Sequence, residues 1–158
     1  MSVPPSFQIH CLSTEDARVL RAMLAMFGEA FEDRDTYTRA QPDDAYLTAL
    51  LAGGSFIALA ALEGTEVVGG LAAYALPKFE QARTEIYIYD LAVAQGFRRR
   101  GMATAMIEEL RRVGQARGTY VIFVQADPGD DPAIALYTKL GIREDVLHFD
   151  ISLAEGPP

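Results

Sequence analysis

The residues Gln95-Gly96-Phe97-Arg98-Arg99-Arg100-Gly101-Met102-Ala103 form a basic, glycine-containing turn between a β-like run and a helical one. A strand, turn and helix in that order presents backbone N–H groups and the positive end of a helix dipole to an anion. The arginines reinforce that field, and Gly101 with the small Ala103 lets a bulky anion approach the backbone where a β-branched residue would obstruct it. Pyrophosphate is the ligand such chemistry suits, with a solvated basic turn as the alternative for so short a pattern. The chain has no Gly-Lys-Ser/Thr of a P-loop and no Gly-x-Gly-x-x-Gly of a dinucleotide fold.

Carboxylates are the second group of interest. Asp90 lies near the end of the strand Glu85 to Val93, Asp127 follows a second β-like run, Asp130 and Asp131 precede Pro132, and Asp150 lies close to the C-terminus. Under strict β alternation Glu85 shares a face with Tyr87 and Tyr89 while Asp90 faces the other way, so both acids serve one site only if a bulge intervenes. Asp130 and Asp131 suit helix capping, whereas Asp127 and Asp150 are candidates for holding a polycation. His148 is expected to be structural. The single Cys11 has no disulfide partner and no spaced cysteine for a metal, so it reads as a small buried hydrophobe and no metal is expected.

These residues need elements to position them. Phe7, Ile9 and Cys11 alternate as a first strand, and Ser13 with Asp16 resembles a capping box opening a helix to about Phe27. The stretch from Gly28 to Gln41 is polar and acidic, and a second helix runs from Pro42 to Gly53. Ser55 to Leu62 and Val67 to Leu76 read as antiparallel strands joined through Glu63-Gly64-Thr65-Glu66. After the strand Glu85 to Val93 come a helix from Gly101 to Arg117, a strand from Tyr120 to Ala126, a helix from Pro132 to Gly141, and a last strand from Val146 to Ile151. The result is one mixed α/β layer. The expected single domain spans 1–158 with an ordered core of about 7–152, leaving Met1 to Pro5 and Ala154 to Pro158 dispensable.

Composition bounds the partners. The 158 residues carry 22 acidic against 14 basic side chains, a formal net charge of −8, which repels nucleic acid and draws in a polycation. A basic amine substrate is favoured. No apolar run reaches the roughly 20 residues of a membrane span, so no membrane is expected, and Met1 to Gln8 lacks a secretory pattern, which implies a cytoplasmic location.

The turn Arg98 to Ala103 resembles the cofactor-binding motif of the GNAT N-acetyltransferase family, Arg/Gln-x-x-Gly-x-Gly/Ala following a strand and opening a helix. Asp130, Ala133, Tyr137, Lys139 and Gly141 match the family's second signature, with Asp130 where the family has Asn. Glu85 to Val93, Tyr120 to Ala133, Leu136 to Glu144 and His148 to Asp150 are similar to type I aminoglycoside 3-N-acetyltransferases. The resemblance runs from about Cys11 to Ile151 and is looser ahead of Gly53.

That resemblance implies an α/β (α+β) GNAT fold: a single mixed, mostly antiparallel central sheet flanked by about four helices and splayed at the cofactor-binding strand. It implies acetyl-CoA as co-substrate, a small cationic aminoglycoside of the gentamicin type as acceptor, and a homodimer as one open state. Leu91, Ala92 and Val93 would bind the pantetheine arm through their backbone. Arg98, Arg99, Arg100, Gly101, Met102, Ala103 and Thr104 would hold the pyrophosphate, and Ala133 and Tyr137 would complete the cofactor site. Asp90 is the expected base or amine anchor, with Glu85 in reserve, and Tyr137 the acid beside the thiol. Tyr89, Asp90, Asp127 and Asp150 are the acceptor-side candidates. Acetylation of another polyamine or peptide amine, and a non-catalytic acyl-CoA sensor, are the alternatives.

Overall fold

In the computed structural model, residues 6–156 are described, so the expected dispensable segment Met1 to Pro5 and the tail residues 157–158 lie outside the described residues. The chain divides into two compact units, Met1–Gln125 and Ala126–Pro158.

In the first unit, β1 (Gln8–Cys11), β2 (Phe56–Glu63), β3 (Glu66–Pro77), β4 (Thr84–Val93) and β5 (Thr119–Val124) lie in that order in one open sheet. Every neighbouring pair is antiparallel except β4 with β5. The exception follows from connectivity, because parallel neighbours need a crossover, supplied here by helix α4 (Met102–Ala116). By contrast β2 and β3 are closed by a tight turn with Gly64 at φ 61°.

Helix α1 (Ala17–Ala30) buries Leu20, Met23, Met26 and Phe27, and α4 buries Met102, Met106, Ile107 and Leu110. Their placement is read from two glycines of β3. A Cβ on Gly70 would come within 2.9 Å of Met23 Cε and 3.1 Å of Phe27 Cζ, and one on Gly69 within 3.3 Å of Met106 Cε. Successive strand residues point to opposite faces, so α1 and α4 clasp β3 from both sides. Covered in this way, β2 is buried without a break from Phe56 to Ala61.

In this unit the structure adds one element and corrects two expectations. The stretch from Gly28 to Gln41 carries a short helix, α2 (Arg34–Thr38), capped by Asp33, whose side chain accepts from the Thr36 N–H at 3.1 Å. With α3 (Asp44–Ala52) and α5 (Asp131–Leu140), the described residues carry five α-helices. Cys11 is exposed, because β1 is an edge strand and alternation there does not guarantee a covering layer. The Ser13 N–H does donate to Asp16 Oδ2 at 2.7 Å, the back-bond of a capping box, but α1 starts only at Ala17, so the pair closes a turn ahead of the helix instead of opening it.

In the second unit, α5 (Asp131–Leu140) starts with Asp130 accepting from the Ala133 N–H at 3.3 Å, and Pro132 occupies its first turn. The strand expected from Val146 to Ile151 does not form. Its alternation is real, but strand backbone needs a ladder to satisfy its N–H and C=O groups, and none of the described residues supplies one. Leu147, Phe149 and Ile151 are exposed there. Among the described residues no helix is long and apolar enough to cross a membrane.

Candidate active site

Strand β4 pairs with β5 from Thr84 opposite Thr119 to Ile88 opposite Val124, where the parallel ladder ends. On its other side it stays paired with β3 as far as Val93. Among the described residues no strand pairs with Tyr89 to Val93 on this side, which leaves an open backbone edge of about 16 Å, at about 3.3 Å per residue. This is the splay expected of the cofactor strand, and Leu91, Ala92 and Val93 lie along it.

The register against β3 shifts between Ala72 opposite Asp90 and Ala73 opposite Ile88, which makes Tyr89 the extra residue of a β-bulge. Alternation slips by one step there. Glu85 and Tyr87, opposite Leu76 and Tyr74, thus share a face with Asp90, opposite Ala72. It is the face that α1 covers, since Gly70 and Ala72 point the same way.

On that face Asp90 is half-buried, and Tyr37 of α2 donates its phenolic hydrogen to Asp90 Oδ1 at 2.9 Å. Burial raises the carboxyl above the usual aspartate range, and the Tyr37 bond opposes that shift. Tyr89 packs edge-on against both Tyr74 and Tyr87, with centroids 5.8 Å apart in each pair. Tyr87 in turn stacks on Phe123 of β5 at 4.7 Å. Burial, with the charge of Asp90 contributing, pushes the Tyr37, Tyr74 and Tyr87 phenols upward, so they remain protonated donors. A half-buried carboxylate that accepts from one phenol and, among the described residues, pairs with no cation attracts an alkylammonium and can take its proton.

Glu85 is engaged elsewhere. It accepts from the Tyr120 hydroxyl and from Lys78 Nζ at 3.4 Å, and the Tyr120 bond first, then Lys78 and Arg83, hold its carboxyl below the usual range. A carboxylate so stabilised is a poor base.

Beyond β4, Gln95–Phe97 form a 3₁₀ turn, and Arg99 and Gly101 both take left-handed backbone, at φ 63° and 82°. Glycine at 101 meets that requirement without strain, and the space its Cβ would occupy is open within 4 Å. Backbone of this kind gathers N–H groups into an anion-binding concavity. Helix α4 starts there with no side chain capping its first N–H groups, which leaves them for an incoming acceptor.

The three arginines differ. Arg98 Nε donates to the Val93 carbonyl at 3.0 Å, and Arg100 reaches Glu63 Oε1 at 3.4 Å and the Gly96 carbonyl at 3.3 Å while lying over the Phe97 ring. Among the described residues Arg99 has no partner and is the guanidinium free for phosphate. Met102 is 1% exposed and points into the core, so it contributes backbone only, while Ala103 and Thr104 occupy the accessible first turn. Uncapped donors, the free Arg99 and the open space over Gly101 fit the pyrophosphate of acetyl-CoA.

The first unit thus brings Tyr89 to Val93 together with the turn from Arg98 to Thr104. Ala133, Tyr137, Asp127 and Asp150 are carried by the second unit. There Tyr137 on α5 is half-buried and its phenol is pushed up to about 12, by burial first and then by the charge of Asp130. The Ala133 N–H is used by the Asp130 cap, and Asp150 pairs with His148 at 3.0 Å. Asp127 is exposed. Tyr37 is the contact of Asp90 that sequence reasoning missed; the Asp33 cap, with Thr36 three residues on, was the available signal for the helix that carries it.

The sequence matches the acetyltransferase (GNAT) family over residues 19–142. An aminoglycoside acetyltransferase from an uncultured soil metagenomic sample is 59% identical, with 98% of this chain and 100% of that one covered and a TM-score of 0.92. A second aminoglycoside acetyltransferase of uncultured soil origin, solved in complex with sisomicin, is 28% identical over 97% of this chain and 100% of that one, with a TM-score of 0.88. AAC(6')-Iy, in complex with the bisubstrate analogue CoA-S-monomethyl-acetylneamine, shares the fold at 17% identity and a TM-score of 0.72, covering 94% of this chain and 99% of that one. No protein of curated function matches the sequence. Because the family match runs from α1 through the open edge of β4 and the basic turn to a point beyond α5, the chain belongs to the GNAT acetyltransferases.

Proposed function

We propose that this chain moves an acetyl group from acetyl-CoA to the 3-amino group of a deoxystreptamine aminoglycoside of the gentamicin type, and so confers resistance by removing a cationic charge that target binding needs. The observation that carries the aminoglycoside reading is the 59% identity to an aminoglycoside acetyltransferase along essentially the whole chain. The choice of the 3-amino position rests on the likeness of Glu85 to Val93 and Tyr120 to Ala133 to type I 3-N-acetyltransferases. Both units are read as one catalytic domain, since the family match crosses their boundary, and the location as cytoplasmic.

Acetyl-CoA supplies an activated acyl carbonyl. Arg99 and the uncapped N–H groups from Gly101 to Thr104 would hold its pyrophosphate, and the open β4 edge at Leu91, Ala92 and Val93, apart from the Val93 carbonyl that Arg98 holds, would align the pantetheine arm. Asp90 binds the acceptor ammonium and takes its proton, with Tyr89 beside it. Tyr137, fully protonated at neutral pH, gives a proton to the leaving sulfur, and Ala133 lies on the same helix. Asp127 and Asp150 would hold further ammonium groups of the acceptor.

The test is thiol release with gentamicin and acetyl-CoA, followed by NMR assignment of the acetylated nitrogen. A 3-N product is expected. Acetylation at the 6′-amine would overturn the position and keep the substrate class. Turnover restricted to spermidine or a peptide amine would favour a different small-amine acetyltransferase, and tight acetyl-CoA binding with no amine turned over would favour a sensor.

A further inference from the structure

None of the residues assigned above to the cofactor lies in the stretch between α1 and α3, yet that stretch is tied down tightly. Tyr37 stacks at tilted angles on Phe27 and Phe31, with centroids 5.8 and 5.6 Å away. Its backbone carbonyl accepts from Gln41 Nε2 at 3.2 Å, and Arg21 of α1 donates to Gln41 Oε1 at 2.9 Å and to Asp44 Oδ1 of α3 at 2.6 Å. The result of this bracing is a single polar contact, the bond from Tyr37 to a carboxylate 53 residues away in sequence.

We propose that Tyr37 is a positioning residue for acetyl transfer: its hydroxyl occupies Oδ1 of Asp90 and leaves Oδ2 as the oxygen that receives the acceptor ammonium. The inference rests on the reading of Asp90 as base or amine anchor. Tyr37 is the only hydrogen-bond partner of Asp90 among the described residues. The titratable groups around Asp90 are Tyr37 from α2, Tyr74 from β3, and Tyr87 and Tyr89 on β4 itself, and no charged group from α1, α4 or β5 adds to its balance. Burial pulls the carboxyl toward its neutral form, and the Tyr37 bond is the one interaction that pulls back.

The sign of the effect follows. The active form of Asp90 is ionised, so activity falls as pH drops through its pKa; without the Tyr37 bond that pKa rises and the acidic limb moves to higher pH. The experiment follows the Asp90 carboxyl carbon by ¹³C NMR across pH in the full chain, and kcat/KM for gentamicin over the same range, in the wild type and in Tyr37→Phe. Tyr37→Phe keeps the ring stack. It should raise the Asp90 midpoint and the acidic limb together by about one pH unit, the scale of a hydrogen bond to a charged group, with KM for acetyl-CoA unchanged within about twofold.

Site-specific 3-fluorotyrosine at 37, a stronger donor of the same shape, should shift both downward, and it serves if Tyr37→Phe does not fold. Unchanged midpoints overturn the proposal, as does a moved midpoint that the limb does not follow. Asp90→Asn separates the two readings. If it abolishes the limb while Tyr37→Phe leaves the limb in place, only the positioning role fails; if the limb survives in Asp90→Asn, the reading of Asp90 fails and the role of Tyr37 with it.

Discussion

Asp90 faces phenols instead of a cation, and this environment decides how it responds to substitution. Asp90→Asn keeps the shape and the Tyr37 contact but removes the base, so kcat should fall about 10² to 10⁴-fold while KM for acetyl-CoA is unaffected, as followed by thiol release. A wild-type rate would remove Asp90 from the mechanism. The arginines should separate in the same assay. Arg99→Gln loses a charge with no structural partner and should raise the acetyl-CoA KM about tenfold, the order of one charge-assisted contact. Arg98→Gln instead unties the turn from the Val93 carbonyl and should lower the melting temperature as well. The turn and Asp90 were legible in the sequence because their chemistry is written in neighbouring residues. The unequal roles of Arg98, Arg99 and Arg100 were not, since their partners lie on Val93, Glu63 and Phe97 and only folding reveals them.

Elements that announce themselves by period or by turn chemistry were readable. The hairpin at Gly64 and the helix ahead of Gly118 are local patterns, and both formed as expected. Helix α2 spans five residues, too few for a 3.6-residue period to show. The segment from Val146 to Ile151 failed in the opposite way, having the alternation of a strand without a ladder. The bulge at Tyr89 was foreseen only as a condition, because nothing in Glu85 to Val93 marks where the register against β3 must slip. Packing at this scale is testable at Gly70, where α1 leaves no room. Gly70→Val should cost about 1–3 kcal/mol from overpacking, lowering the melting temperature by about 2–4 °C per kcal/mol for a chain of this size. An unchanged melt would mean that Met23 and Met26 yield freely.

For the whole molecule, the charge of −8 would act at long range on the polycationic acceptor proposed above and hardly on the dry contacts of the core. Raising ionic strength from about 0.05 to 0.5 M shortens the screening length to a few ångströms, so KM for an aminoglycoside should rise several-fold while kcat holds; a flat KM would confine recognition to contacts at the site. Class, strand number to within one, and the order of elements followed from composition and pattern, whereas the meeting of α2 with β4 depended on tertiary approach. The unpaired stretch from Tyr89 to Val93 also bears on the life of the protein in a cell. A strand edge with no neighbouring strand is the template on which chains aggregate, and here it cannot be blunted without destroying the place where the thioester arm would lie. Acetyl-CoA bound there would act as a chaperone for its own enzyme, raising the melting temperature in proportion to the logarithm of its concentration. Starvation for the cofactor would then deplete the enzyme by precipitation as well as by want of substrate.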